Sequence, residues 1–185
     1  MRSVVLALAL MVAAPGARAV PFSLRSSDIP AGGTIGLRQV FDGFGCTGAN
    51  ISPALAWSGP PAGTRSFALL VHDPDAPTGG SGWWHWLLLD LPAGLRGLPS
   101  GAGSAGGAGL PAGARQIRTD YGIPGWGGPC PPVGDSPHRY VFTLHALKVA
   151  KLEVPEGASA ALAGYMVNAN SLGTATFTGF YGRSR

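Results

Sequence analysis

Apolar runs of three to eight residues, each closed by Gly, Pro, Asn or Asp, recur along the chain and set the strongest limit on its fold. They cover residues 34–37, 55–57, 66–71, 84–91, 116–119, 140–147 and 174–181. Runs this short, with turn residues at both ends, read as strands rather than helices. Helical spacing is convincing only over residues 158–170, ASAALAGYMVNAN, where Leu162, Tyr165, Met166 and Ala169 recur. Several short strands with one late helix predict a mainly β domain, an antiparallel sandwich or barrel.

Gly 30 and Pro 17 form about a quarter of the 185 residues, a share that approaches disordered composition. Against disorder stand 45% hydrophobic residues and five Trp, enough to build a core. Segment 94–113 is almost wholly Gly, Ala, Leu, Pro and Ser. It is expected to be a long surface loop, because the remaining two strands and helix are too small for a second core.

Residues 1–19, MRSVVLALALMVAAPGARA, join a basic start at Arg2, an apolar run and the small-residue pattern Ala17, Arg18, Ala19. They predict a signal peptide cleaved after Ala19, leaving residues 20–185 as one exported domain, periplasmic or secreted. No later run reaches the ~20 apolar residues of a transmembrane helix. The formal charge of +4 loses Arg2 and Arg18 with the leader, and the remaining basic residues are scattered. Neither a nucleic-acid surface nor a polybasic membrane patch is indicated. In an exported chain the two cysteines, Cys46 and Cys130, favour a disulfide; two buried free thiols are the alternative.

Two G-x-G-x-x-G matches, at Gly43, Gly45, Gly48 and Gly101, Gly103, Gly106, are each followed by proline instead of the helix that phosphate binding needs. The informative stretch is 73–86, DPDAPTGGSGWWHW. If 66–71 pairs antiparallel with 84–91, the loop between them closes a hairpin and gathers Asp73, Asp75 and His85 at one sheet end. A second stretch of the same character, 127–140, GGPCPPVGDSPHRY, delivers His138 and Tyr140 at another strand mouth. Each histidine alone reads as a structural residue; together they point to a ligand site.

In this order and spacing DPDAP, WWHW, GPCPP and HRY resemble the phosphatidylethanolamine-binding protein family, also called Raf kinase inhibitor-like proteins, in its bacterial exported branch. FGCTGANISPALAW, GTRSFALLVHDPDAPTG, GWWHWLLLDLP and AALAGYMVNAN extend the likeness from Phe22 to Tyr181. The resemblance implies a Greek-key β-sandwich with a small pocket for anionic groups such as phosphate or a phospholipid headgroup. The matching pocket positions are Asp73, Pro77, His85, His138 and Tyr140, walled by Trp83, Asp75, Pro131 and Pro132. It also implies a cis Ala76–Pro77 bond. Asp73 is expected to orient a histidine, since a bare carboxylate would repel an anion, and Asp75 to stabilise the turn. Family members that regulate kinases carry a helical tail beyond the last strand; Tyr181 is followed here only by residues up to Arg185, so tail gating is not carried over.

The function expected is a non-enzymatic binding protein without cofactor, modulating or inhibiting another exported protein; self-association as a homodimer is compatible with the sequence. Two alternatives compete. One is a metal-dependent hydrolase using Asp73, Asp75, His85 and His138. The other is a protein-interaction module with a vestigial pocket.

Overall fold

The computed structural model describes residues 20–185; the signal-peptide reading lies outside them. The elements are β1 (Ser23–Ser26), β2 (Asp42–Gly43), β3 (Cys46–Thr47), β4 (Leu55–Ser58), β5 (Ser66–Asp73), β6 (Trp83–Pro92), β7 (Gly97–Leu98), β8 (Arg115–Gln116), β9 (His138–Leu147), α1 (Ala160–Asn170) and β10 (Ser171–Tyr181). A five-stranded sheet in the order β10-β9-β5-β6-β8 packs against a three-stranded sheet, β1-β4-β7, and all the strand pairs are antiparallel. This is the expected mainly β sandwich with a late helix.

The large sheet is covered on both faces, which is why its strands read as unbroken apolar runs. Alternate residues of β5 serve the two sides. Phe67, Leu69 and Val71 enter the sandwich core with Trp57, Trp86, Tyr140 and Phe142. Ala68 and Leu70 face the second core, shared with Leu87, Leu89 and the helix residues Ala160, Ala163 and Val167.

Several expectations need correction. Residues 34–37 form no strand: Thr34 makes one isolated bridge to Phe180, Ile35 is buried, and Leu37 begins a turn and is 66% exposed. Of 116–119, only Gln116 belongs to a strand, while Arg118 bridges Pro124. Loop 94–113 is not wholly on the surface, since Leu98 and Ala102 are buried. Gly103 lies so close to Trp86, Ser52 and Trp126 that an added Cβ would come within 2.8–2.9 Å of each. The helix turns Ala160, Ala163, Gly164 and Val167 inward and leaves Leu162 and Tyr165 exposed. Its small inward face fits because Trp84 of the sheet packs over Gly164 and fills the space that larger side chains would take. Ser159 caps this helix, accepting from the backbone N–H of Leu162 at 3.1 Å.

Candidate functional site

The strands β5, β6 and β9 are neighbours in the large sheet, so the end of β5 and the starts of β6 and β9 meet at one edge. Asp73 pairs with Trp83 across the hairpin, as the sequence suggests. The register then slips: Val71 pairs with Trp86 but His72 with Trp84, leaving His85 as the extra residue of a β-bulge. The bulge lets two consecutive side chains, His85 and Trp86, reach the same tryptophan, with ring centroids 6.5 and 5.9 Å from Trp126. A regular strand would send them to opposite faces.

A cavity of about 290 Å³ opens at this edge. Its lining brings together Asp73, Pro77, Trp83, His85, Pro131, Pro132, His138 and Tyr140, eight of the nine residues expected at or around a site. Asp75 is the exception. Its carboxylate accepts from Nε and Nη2 of Arg139 at 2.9 and 2.7 Å and from the Arg139 backbone N–H at 2.8 Å, so it anchors the start of β9 from outside the cavity. The Arg139 guanidinium holds the Asp75 carboxyl down at about 2. His72 and His145 also lie outside the lining: His72 packs against Trp84 at a tilt, and His145 is buried beside Ser171.

Inside, Asp73, His85 and His138 are each fixed by a partner. Asp73 is 3% exposed; one carboxylate oxygen accepts from Nδ1 of His138 at 2.8 Å, and the other from the backbone N–H groups of Asp75 and Ala76 at 2.8 and 3.1 Å. One buried carboxylate therefore orients the imidazole and shapes the turn. It closes the turn without a cis bond: the described residues contain no cis peptide, so Ala76–Pro77 is trans, against expectation. Nδ1 of His85 donates to the Gly127 carbonyl at 2.6 Å, and the Gly127 N–H returns a bond to the His85 carbonyl at 2.9 Å. Burial lowers the His85 pKa to about 4, with Gly127 and Asp73 opposing it only in part. Tyr140 is fully buried, its hydroxyl has no partner, and burial together with Asp73 raises its pKa.

The far wall comes from loops that the sequence left open. Cys46 and Cys130 form the expected disulfide, with Cα atoms 6.0 Å apart, and Cys130 itself lines the cavity. The bridge brings in Phe44, which lines the cavity at φ 50° and is 73% exposed. Tyr121 completes the aromatic wall: it stacks on Phe41 at 4.2 Å, meets His85 edge-on at 5.6 Å, and donates to the Gly128 carbonyl at 2.8 Å. Asn50 pins the same loop, accepting from the Gly128 N–H at 2.8 Å and donating to the Trp126 carbonyl at 3.3 Å. Only a lone aromatic beside glycine marked Phe44 or Tyr121 in the sequence. Ala76 and Thr78, which also line the cavity, lie within the informative stretch but are not among its expected lining residues.

Among the described residues no cluster of three or more His, Cys, Asp or Glu is placed to hold a metal ion. The metal set considered from the sequence is not assembled, because Asp75 is committed to Arg139.

Comparison with known proteins gives a consistent result. The family described as phosphatidylethanolamine-binding protein matches residues 25–182. UPF0098 protein YbcL of Escherichia coli is 48% identical over 181 residues, 98% of each chain. UPF0098 protein YbhB of the same organism is 49% identical over 158 residues, 85% of this chain and 98% of that one. A Mycobacterium tuberculosis protein named "Putative lipoprotein LppC" is 35% identical over 167 residues, covering 90% of this chain and 75% of its own length. The crystal structure of E. coli YbcL superposes with a TM-score of 0.84 at 52% identity, covering 87% of this chain and 98% of that one.

Proposed function

Because the chain belongs to the phosphatidylethanolamine-binding protein family, we propose that it is an exported, non-enzymatic binding protein whose cavity takes a small anionic group, phosphate or a phosphorylated headgroup. Through such binding it modulates another exported protein. The observation that most supports the reading is the pairing of held and unheld groups. Asp73 and Gly127 fix His138 and His85, while the Tyr140 hydroxyl is buried beside them without a partner. A buried polar group without a partner is costly unless a ligand or water supplies one. Export rests on the disulfide and on the lipoprotein name of LppC. No helix among the described residues is long and apolar enough to cross a membrane.

Calorimetric titration with phosphate and phosphoethanolamine tests the reading. His85→Ala and His138→Ala should each weaken binding by about 1.5–3 kcal/mol, the range for a hydrogen bond to a charged group. His72→Ala and His145→Ala, outside the lining, should bind as the parent does. Equal affinity in all four variants refutes the site.

A further inference from the structure

The hydrogen bonds already made inside the cavity decide what remains for a ligand. A carbonyl only accepts, so the 2.6 Å contact with Gly127 requires the hydrogen of His85 on Nδ1. Burial keeps this ring neutral near pH 7, and its Nε2 is then a lone pair. His138 also spends Nδ1 on a carboxylate, that of Asp73, and its Nε2 lies 3.4 Å from the carboxylate of Asp135 at the rim. The same lining holds donors without partners: the Tyr140 hydroxyl and the indole N–H of Trp83.

No Lys or Arg is among the residues lining the cavity. The charged groups acting on His85 are Asp73 on β5 and Asp120, which accepts from the Trp84 N–H at 2.8 Å; Asp135 before β9 lies against His138, and Asp75 is neutralised by Arg139. His72, Tyr121 and Tyr140 are the other titratable neighbours of His85. A site with acceptors, donors and surrounding carboxylates is poorly matched to an anion that can only accept.

Building on the anion-pocket reading, we propose that His85 makes the cavity selective for oxyanions that still carry an acidic hydrogen. These are inorganic phosphate and singly charged phosphomonoesters, preferred over sulfate and over phosphodiesters. Nε2 of His85 accepts the P–O–H hydrogen, and Tyr140 donates to a charged oxygen of the same group. An oxyanion without that hydrogen sets its own lone pairs against the lone pair of Nε2, and a site built to take a hydrogen bond rejects the analogue that lacks it.

The test is calorimetric titration of the protein at pH 5, with phosphate, methyl phosphate, dimethyl phosphate and sulfate as probes. Methyl and dimethyl phosphate both carry a single charge here, the former largely so because its second pKa is near 6. They therefore differ chiefly in the hydrogen. Phosphate and methyl phosphate should bind at least about tenfold tighter than dimethyl phosphate and sulfate. In His85→Ala that gap should close. Equal binding of all four probes overturns the selectivity while leaving the anion pocket standing, as does a gap that persists in His85→Ala. Binding of none of them removes the pocket reading itself. The comparison within the unmutated protein decides even if His85→Ala does not fold.

Discussion

Asp73 and Asp75 belong to one DPD turn and each accept several hydrogen bonds, yet truncating them should have very different consequences. The Asp73 carboxylate and the His138 imidazole are 4% and 5% exposed, so Asp73→Ala leaves Nδ1–H of His138 buried without an acceptor. An orphaned buried donor costs about 1–3 kcal/mol, and loss of a charge-assisted bond adds to it. The two turn amides, at the exposed Asp75 and partly exposed Ala76, can turn to water and contribute less. We therefore expect Asp73→Ala to cost about 2–4 kcal/mol. Asp75 and Arg139 are 31% and 54% exposed, so solvent screens the pair and replaces its bonds, and Asp75→Ala should cost only a small fraction of that. Asp73→Asn should fall between them, since its amide oxygen can still serve the turn. Urea denaturation at pH 7 measures all three, read as a shift in midpoint at constant slope. Equal destabilisation by the two alanine variants would refute a buried carboxylate that organises the site.

Replacing both Cys46 and Cys130 by Ser should cost about 4–5 kcal/mol, because the bridge closes a sequence separation of 84, and urea midpoints of the two proteins measure it. Acidification should destabilise the fold. His85 and His145 are held by burial at about 4 against 6.5, so the unfolded chain takes up their protons first. Their contribution is complete above pH 6.5 and is lost as pH falls toward 4, by up to about 3 kcal/mol each; unchanged stability between pH 7.5 and 4.5 would contradict it. Gly164→Ala should stabilise by about 0.5–1 kcal/mol, because its Cβ would meet Trp84 at an ordinary 3.5 Å within a helix. Gly103→Ala should destabilise by about 1–3 kcal/mol, since three side chains leave its Cβ no room. Thermal melts of that pair suffice.

The large sheet was legible because strands buried on both faces must be apolar throughout, and LLV in β5 and WLLLDL in β6 have few other readings. The small strands were not. Ser23–Ser26, SLRS, is ordered by pairing with β4, a tertiary contact with no local signature. The helix was legible but its buried face was not, because apolar spacing carries no information on size: the sheet selects Ala163 and Gly164, which allow close approach, and leaves Tyr165 in solvent. In the site, Asp73, His85, His138 and Tyr140 stood out because imidazoles and carboxylates at strand mouths are unusual. Tyr121 and Phe44 did not, since an aromatic among glycines reads as loop until the disulfide and the Asn50 clamp place it.

The phase slip at His85 marks where sequence periodicity stops being informative and also where the site becomes possible. WWHWLLL alternates in no way that shows which residue is the extra one, so strict period two would put His85 and Trp86 on opposite faces of the sheet. In the folded chain Trp86 fills the sandwich core, fully buried, while His85 lies 5.0 Å edge-on from Tyr140 at the cavity. One inserted residue thus lets a core-forming strand also carry a polar ring: the Gly127 carbonyl accepts from its Nδ1–H, while the Gly127 N–H donates to the His85 backbone carbonyl. Gly127 is in turn held by its neighbours, through the bonds of Asn50 to Trp126 and Gly128 and of Tyr121 to Gly128. The imidazole is therefore positioned by backbone that the side chains of Asn50 and Tyr121 pin. Loosening Asn50 should disturb the site more than the core, because the bonds it makes hold a loop rather than a strand.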